Sequence, residues 1–228
     1  MTKSTLLLAG LFALILCLIA SAQNESRINT NGQCPVCRFQ RMDKREKPLI
    51  SHSKYKDREY RFCSDTCKTQ FDINPEYYIE PPLPRPALDF ALTTLNGHRD
   101  SLANYRGKIV LVDFWASWCA PCVKTMKDLQ SIYTEFRADS LAIIGITLDS
   151  IGTPQTTTHL QKHQITYPIL FENRTSQTWL AFQMKSLPSL YLVDRKGMIV
   201  QQWRGAAEKN AIVAAVRLLL EENLFDKQ

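Results

Sequence analysis

The chain has no nucleotide-binding glycine motif, no block of lysine and arginine, no aromatic–basic stripe, no internal repeat and no low-complexity tract. The first absence excludes a nucleotide cofactor cradled by a glycine-rich loop. The next two remove the electrostatic footprint of a nucleic-acid binder. The formal net charge is +6, but the charge is dispersed, so this mild basicity points to no particular partner. Only one apolar run approaches the length of a membrane span, and it lies at the extreme N-terminus. At 228 residues the chain suits one domain, or one domain plus a small module.

That N-terminal run reads as a targeting segment. MTKST carries one positive charge, LLLAGLFALILCLIA is uncharged, and Ala20-Ser21-Ala22 is a small-x-small cleavage signal. A secretory signal peptide over residues 1–22, cut before Gln23, is expected. The alternative is an uncleaved anchor, for which the run is short, since a spanning helix takes roughly 20 apolar residues. A lipoprotein attachment at Cys17 is disfavoured by the bulky Leu16 before it. The expected location is therefore periplasmic or otherwise exported. Export matters for the cysteines, because an oxidising compartment consumes exposed thiols unless a metal or a reductant protects them. Beyond the signal six remain: Cys34, Cys37, Cys63, Cys67, Cys119 and Cys122.

The rest of the chain divides by composition. Residues 23–33 are polar and aperiodic, a flexible leader. Residues 34–80 hold four cysteines and little apolar content, a small cysteine-rich module. PPLPRP, residues 81–86, reads as a stiff extended linker, because proline fixes φ and removes donors. Residues 87–228 have α/β patterning. A hairpin is expected around Asn96-Gly97 and buried strands over 108–116 and 141–148. Helices are expected from Cys119 to Phe136, over 153–164, around SQTWLAFQ and over EKNAIVAAVRLLLEE. TYPILFE reads as a short strand, and SLYLVDRKGMIVQQWRG as a hairpin turning at Lys196-Gly197. The pattern predicts a mixed central sheet with helices on both faces.

VDFWASWCAPC holds a Cys-x-x-Cys pair between a buried strand and a helix, and Leu187-Pro188 precedes a later strand. These features resemble the thioredoxin fold. The N-terminal hairpin and the inserted strand–helix region over 141–164 resemble, more narrowly, the exported TlpA/ResA-type thiol-disulfide reductases over residues 87–222. Cys119 at a helix N-terminus would meet unpaired backbone N–H groups that stabilise a thiolate, the attacking species. Cys122, one turn further in, would resolve the mixed disulfide, and Pro121 is tolerated in the first turn. The resemblance implies that Asp113 is a buried proton acceptor for Cys122. It also implies that Pro188 is the cis-proline beside the active-site sulfurs. Trp118 and Trp115 are expected around the site, with core packing an equal reading for Trp115. The Ala-Pro dipeptide between the cysteines carries no charge that would strongly stabilise a thiolate, which favours a reductant over a strong oxidant. Protein disulfides as substrates, apocytochrome c or an oxidase copper site among them, and a membrane electron donor follow from the resemblance. A peroxidase is a weaker rival, because the cysteine pair follows Trp118 and Arg106 lies ahead of the strand instead.

The second Cys-x-x-Cys pair, in NGQCPVCRFQ, lacks a buried strand before it and a helical pattern after it. Its partners lie in EYRFCSDTCKTQF: Cys34 and Cys37, a 25-residue spacer, then Cys63 and Cys67. Four thiols in this layout resemble a structural zinc site, with Cu(I) a second candidate. CPVC, YRFCSDTCKTQF and NPEYY also resemble the YHS/TRASH family of small metal-binding modules. That family usually has Gly-Met after the first pair, where this chain has Arg38-Phe39. His52 is a candidate extra ligand or a solvated loop histidine. The competing account of the four cysteines is two structural disulfides in a module with a thin core. The sequence thus points to an exported thiol-disulfide oxidoreductase with a metal-binding module. The alternative is a metal chaperone or sensor that uses the thioredoxin-like domain as a docking platform.

Overall fold

The computed structural model describes residues 34–40, 48–173 and 175–225. The expected signal peptide and leader lie outside them. Among the described residues no helix is long and apolar enough to cross a membrane. The chain divides after Pro81 into two compact units.

The first unit is built from α1 (Pro35–Gln40), β1 (Ser51–Tyr55), β2 (Arg58–Phe62), α2 (Asp65–Ile73) and α3 (Pro75–Tyr78). The two strands form an antiparallel hairpin, turning at Lys56 and Asp57, both with positive φ. Its core is thin: Val36, Phe62 and Phe71 are buried, with Tyr55, Tyr60 and Tyr78 packed against them. Phe71 is the hub, 5.0 Å from the Phe62 ring and 4.8 Å from the Tyr60 ring. Ser64 caps α2 by accepting from the Cys67 N–H, and Asn74 caps α3 by accepting from the Tyr77 N–H. Two features depart from the sequence reading. CPVCRFQ lacks apolar periodicity, yet it forms the short helix α1, whose second turn follows directly from the knuckle. The β1–β2 hairpin was not anticipated because SHSKY and REYRF are polar, with little apolar alternation, and lack a glycine turn.

The second unit holds an eight-stranded mixed sheet in the order β3-β10-β9-β6-β7-β8-β4-β5. Its strands are β3 (Arg85–Pro86), β4 (Ala91–Thr94), β5 (Arg99–Ser101), β6 (Ile109–Trp115), β7 (Leu141–Thr147), β8 (Ile169–Phe171), β9 (Ser189–Val193) and β10 (Met198–Arg204). Strands β6, β7 and β8 run parallel, and the outer pairs are antiparallel. Every residue of β6 and β7 is buried, as continuous apolar runs at the centre of a two-sided sheet require. Gly97 and Gly197 take positive φ at the two expected hairpin turns.

The helices are α4 (Ala120–Phe136), α5 (Pro154–Lys162), α6 (Thr178–Ala181) and α7 (Lys209–Phe225), with a 3-10 turn at Leu102–Tyr105. On one face Met126, Leu129, Ile132 and Phe136 of α4, with Ile212 and Val216 of α7, cover Ile109, Leu111 and Trp115. On the other face Phe90, Leu102 and Phe182 cover Val110, Val112 and Phe114. This is the mixed, helix-flanked architecture expected. One boundary differs: Arg85 and Pro86, read as linker by composition, are an edge strand on β10. Proline is compatible with that place because an edge strand leaves one row of backbone groups outside the ladder.

Candidate active site

Parallel strands β6 and β7 end side by side, and the chain leaving β6 carries the Cys-x-x-Cys pair into α4. Cys119 is the N-cap of α4, and Cys122 sits in its first turn. The two form a disulfide, with a Cα–Cα distance of 5.3 Å. The Cys119 carbonyl accepts from the N–H groups of Cys122, at 2.9 Å, and Val123. The first turn of α4 holds no acidic residue and carries Pro121, so nothing there opposes negative charge on the Cys119 sulfur. Cys122 is wholly buried and Cys119 nearly so. Trp118 is 72% exposed, whereas Trp115 is sealed in the core beneath α4.

Cys119 opens into a groove lined by Trp118, Pro121, Trp179, Met184 and Leu187. The Leu187–Pro188 peptide is cis, and the Pro188 carbonyl accepts from Gly205 N–H. Trp179 reaches the groove from α6, and its backbone N–H donates to the Glu172 carboxylate at 3.1 Å. The Glu172 carboxylate also accepts from Ser176 Oγ and the Asn173 N–H, so it fixes the loop that presents Trp179. Arg106 lies at the other end of β6, where its guanidinium would crowd a Cβ placed on Gly197. Seven residues of extended strand separate it from the cysteine end, roughly 20 Å.

Asp113 lies in the middle of β6, between Leu111 and Trp115 on the face that α4 covers. It is fully buried, and neither carboxylate oxygen has a direct protein partner. Burial alone pushes its carboxyl up to about 7. A carboxyl so placed is a proton acceptor near neutral pH.

The sequence reading missed one polar network. Asp149, just past β7, is buried and accepts from Ser117 N–H (2.9 Å), Ser117 Oγ (3.2 Å), Thr147 Oγ1 (3.0 Å) and Thr156 Oγ1 (2.6 Å). It ties the segment two residues ahead of Cys119 to the ends of β7 and α5. The available signal was positional. Ser117 and Asp149 each follow a continuous apolar run, and parallel neighbours bring such ends together.

The family model for the AhpC/TSA family matches residues 84–202, just over half of the chain. The chain belongs to the AhpC/TSA family. Within it, the chain is 31% identical to "Thiol-disulfide oxidoreductase ResA" of Geobacillus kaustophilus over 128 residues, covering 55% of this chain and 71% of that protein. It is 34% identical to "Thioredoxin-like protein YneN" of Bacillus subtilis over 115 residues, covering 50% of this chain and 66% of that one. A solved structure from Chlorobium tepidum, a thiol:disulfide interchange protein DsbE, superposes with a TM-score of 0.57 at 26% identity. That superposition covers 62% of this chain and 99% of the other. Fold and activity class agree: this AhpC/TSA-family chain has a thioredoxin-like fold and is a ResA-like thiol-disulfide oxidoreductase.

The four cysteines of the first unit also converge. Their sulfurs all lie within 4.8 Å of one another, with Cys37–Cys63 at 3.4 Å and Cys67 at 3.8 Å from both. A tetrahedral ion with metal–sulfur bonds of about 2.3 Å sets its sulfurs about 3.8 Å apart, so the set fits such an ion. Cys34 precedes α1, and Cys63 and Cys67 bracket the capped start of α2. Burial acts to raise the Cys34 thiol, but backbone N–H groups of Cys37, Cys63 and Val36 outweigh it and pull it down. Burial and the neighbouring sulfurs push Cys37 up instead. Four sulfurs so placed could hold a metal ion. His52 is not part of the cluster: it is exposed on β1, paired with Arg61 across the hairpin.

Proposed function

We propose that this chain is an exported reductase of protein disulfides in metalloprotein or cytochrome c maturation, with an N-terminal module of YHS/TRASH type holding one zinc or copper ion. The observation that carries the redox reading is the Cys119–Cys122 pair at the start of α4, which opens into an apolar groove.

In the reduced chain the Cys119 thiolate attacks one sulfur of a substrate disulfide. A mixed disulfide forms, and the other substrate sulfur leaves as a thiolate and takes a proton from water. Asp113 accepts the proton of Cys122, whose thiolate attacks the Cys119 sulfur. The second substrate sulfur leaves as a thiolate and takes up a proton, and the Cys119–Cys122 disulfide remains. The substrate gains two electrons and two protons, and the enzyme dithiol loses the same. A membrane electron donor of the thiol–disulfide relay type restores the dithiol. Trp118, Trp179 and Leu187 offer an apolar docking face beside Pro188, suited to unfolded or partly folded polypeptide. The distance of Arg106 from the cysteines argues against a peroxidase.

Export rests on the N-terminal signal and location in the periplasm on the expected cleavage after Ala22, with an uncleaved anchor as the alternative. In the first unit Cys34, Cys37, Cys63 and Cys67 would hold the ion, which cross-links the starts of α1 and α2. A chaperone or sensor reading is favoured by one observation, the convergence of those four sulfurs.

Insulin reduction by the dithiothreitol-charged chain separates the two. The reductase reading expects turnover well above background, abolished in Cys119→Ser and kept in Cys63→Ser. A wild type at background overturns it. Elemental analysis and thiol titration of the Cys119→Ser/Cys122→Ser double variant tests the module. About one metal per chain with four titratable thiols supports it, and no metal with no free thiols means two disulfides.

A further inference from the structure

The face of the sheet beneath α4 buries three polar groups without a direct protein partner: the Asp113 carboxylate, the Trp115 indole Nε1 and the Tyr167 hydroxyl. Each such group is costly when left unpaired, so three at one place in a core call for a reason. They meet at Gly145. Asp113 and Gly145 are paired across β6 and β7. A Cβ placed on Gly145 would lie 3.2 Å from Trp115 Nε1, 3.3 Å from Tyr167 Cε2 and 2.6 Å from Ile169 Cδ1. The missing side chain at position 145 is therefore what lets the Tyr167 ring lie against the strand pair that carries Asp113.

Tyr167 is 2% exposed and belongs to the same packed cluster as Cys122 and Trp115. Its ring is held from outside by an edge-on contact with Tyr133 of α4, 6.1 Å between centroids. Burial and the Asp113 charge both push its hydroxyl well above the ordinary tyrosine range, so it stays a neutral donor. Apart from Cys122, the other surroundings of Asp113 do not titrate. Gly145 faces it from β7 and Leu190 from β9, while α7 contributes Ile212 and Val216 to that side. On α4 the inward groups are Cys122, Thr125 and Met126, and Thr125 Oγ1 is committed to the Pro121 carbonyl. Lys124 and Lys127 lie on the exposed side of α4, and Lys209 and Arg217 of α7 are bound to Ser131 and Glu135 at the surface. Cys122 and Tyr167 are thus the titratable groups that face Asp113 among the described residues.

We propose that Tyr167 is a positioning residue for the proton transfer. Its hydroxyl donates toward the Asp113 carboxylate across one water, and so sets the pH at which that carboxylate can take the Cys122 proton. This rests on the reading of Asp113 as proton acceptor. A donor to the charged form favours ionisation, so removing it raises the carboxyl's pKa.

The test is the pH profile, between pH 5.5 and 9, of resolution of a mixed disulfide on Cys119 by Cys122. Wild type, Tyr167→Phe, Asp113→Asn and the double variant are compared. The rate rises as Asp113 ionises, and Tyr167→Phe moves that rise upward by about 1 pH unit. Asp113→Asn removes the rise, and Tyr167→Phe adds no further shift to it. A phenylalanine that merely packs less well would scale the rate at all pH values without moving the profile. An unmoved Tyr167→Phe profile, with Asp113→Asn still abolishing the rise, overturns the role of Tyr167 alone. A rise that survives in Asp113→Asn overturns the Asp113 assignment and the inference together.

Discussion

Asp113 shows at the scale of one residue how stability yields to chemistry. An unpaired carboxyl at the centre of a sheet is stable only when protonated, and burial lifts it to about 7. A raised folded-state pKa means that the native state binds the proton more tightly than the unfolded chain. The stability from that proton is fully present below the unfolded value near 4 and is lost as pH rises through 7. The oxidised chain is therefore expected to be less stable at pH 8 than at pH 5, by up to a few kcal/mol from this group. Asp113→Asn should flatten that slope and raise stability at pH 8, as read from urea unfolding at the two pH values. An unchanged slope would remove the carboxyl from the account. Asp113 was legible because a lone acid inside VDFW stands out, and Cys119 and Cys122 because their motif is local. Tyr167 was not: its ring is brought to Gly145, the strand neighbour of Asp113, only through the β6–β7–β8 pairing, and TYPILFE alone reads as packing.

At the scale of elements, the segment between β6 and α4 is held from both sides. The helix start is set by Cys119 and Pro121, and the strand end is tied down through Ser117 to Asp149. Asp149→Ala would leave Ser117 N–H, Thr147 and Thr156 without their acceptor. A loss of about 2–4 kcal/mol is expected, with slower reaction of Cys119 toward a disulfide probe, measured by denaturant unfolding and stopped-flow. A variant as stable and as fast as wild type would show that the network does not position the loop. Elements of strong periodicity, such as α4, β6 and β7, could be read from the chain within a residue or two. The β1–β2 hairpin, the short α1 and the edge strand β3 could not. Polar strands with little apolar alternation hide the first, a knuckle forms the second, and two residues pairing with distant β10 form the third.

At the scale of the whole molecule, the chain joins two units with different uses of sulfur. In one, a disulfide cycles at a helix start; in the other, four sulfurs converge within ion-binding distance. The core of the first unit is too thin to hold the fold by burial alone, so ion binding should contribute much of its stability. Treating the full chain with a strong chelator should melt the first unit, seen as loss of hairpin circular dichroism and gain of four reactive thiols. Insulin reduction by Cys119 should persist. Loss of reduction on chelation would make the ion part of the redox chemistry. The measurement that bears most directly on the central claim is trapping with the Cys122→Ser variant. Mixed with a disulfide-bonded protein and digested, it should yield a covalent adduct on Cys119, identified by mass spectrometry and released by dithiothreitol. No adduct, or one formed on the four N-terminal cysteines instead, would contradict Cys119 as the attacking group.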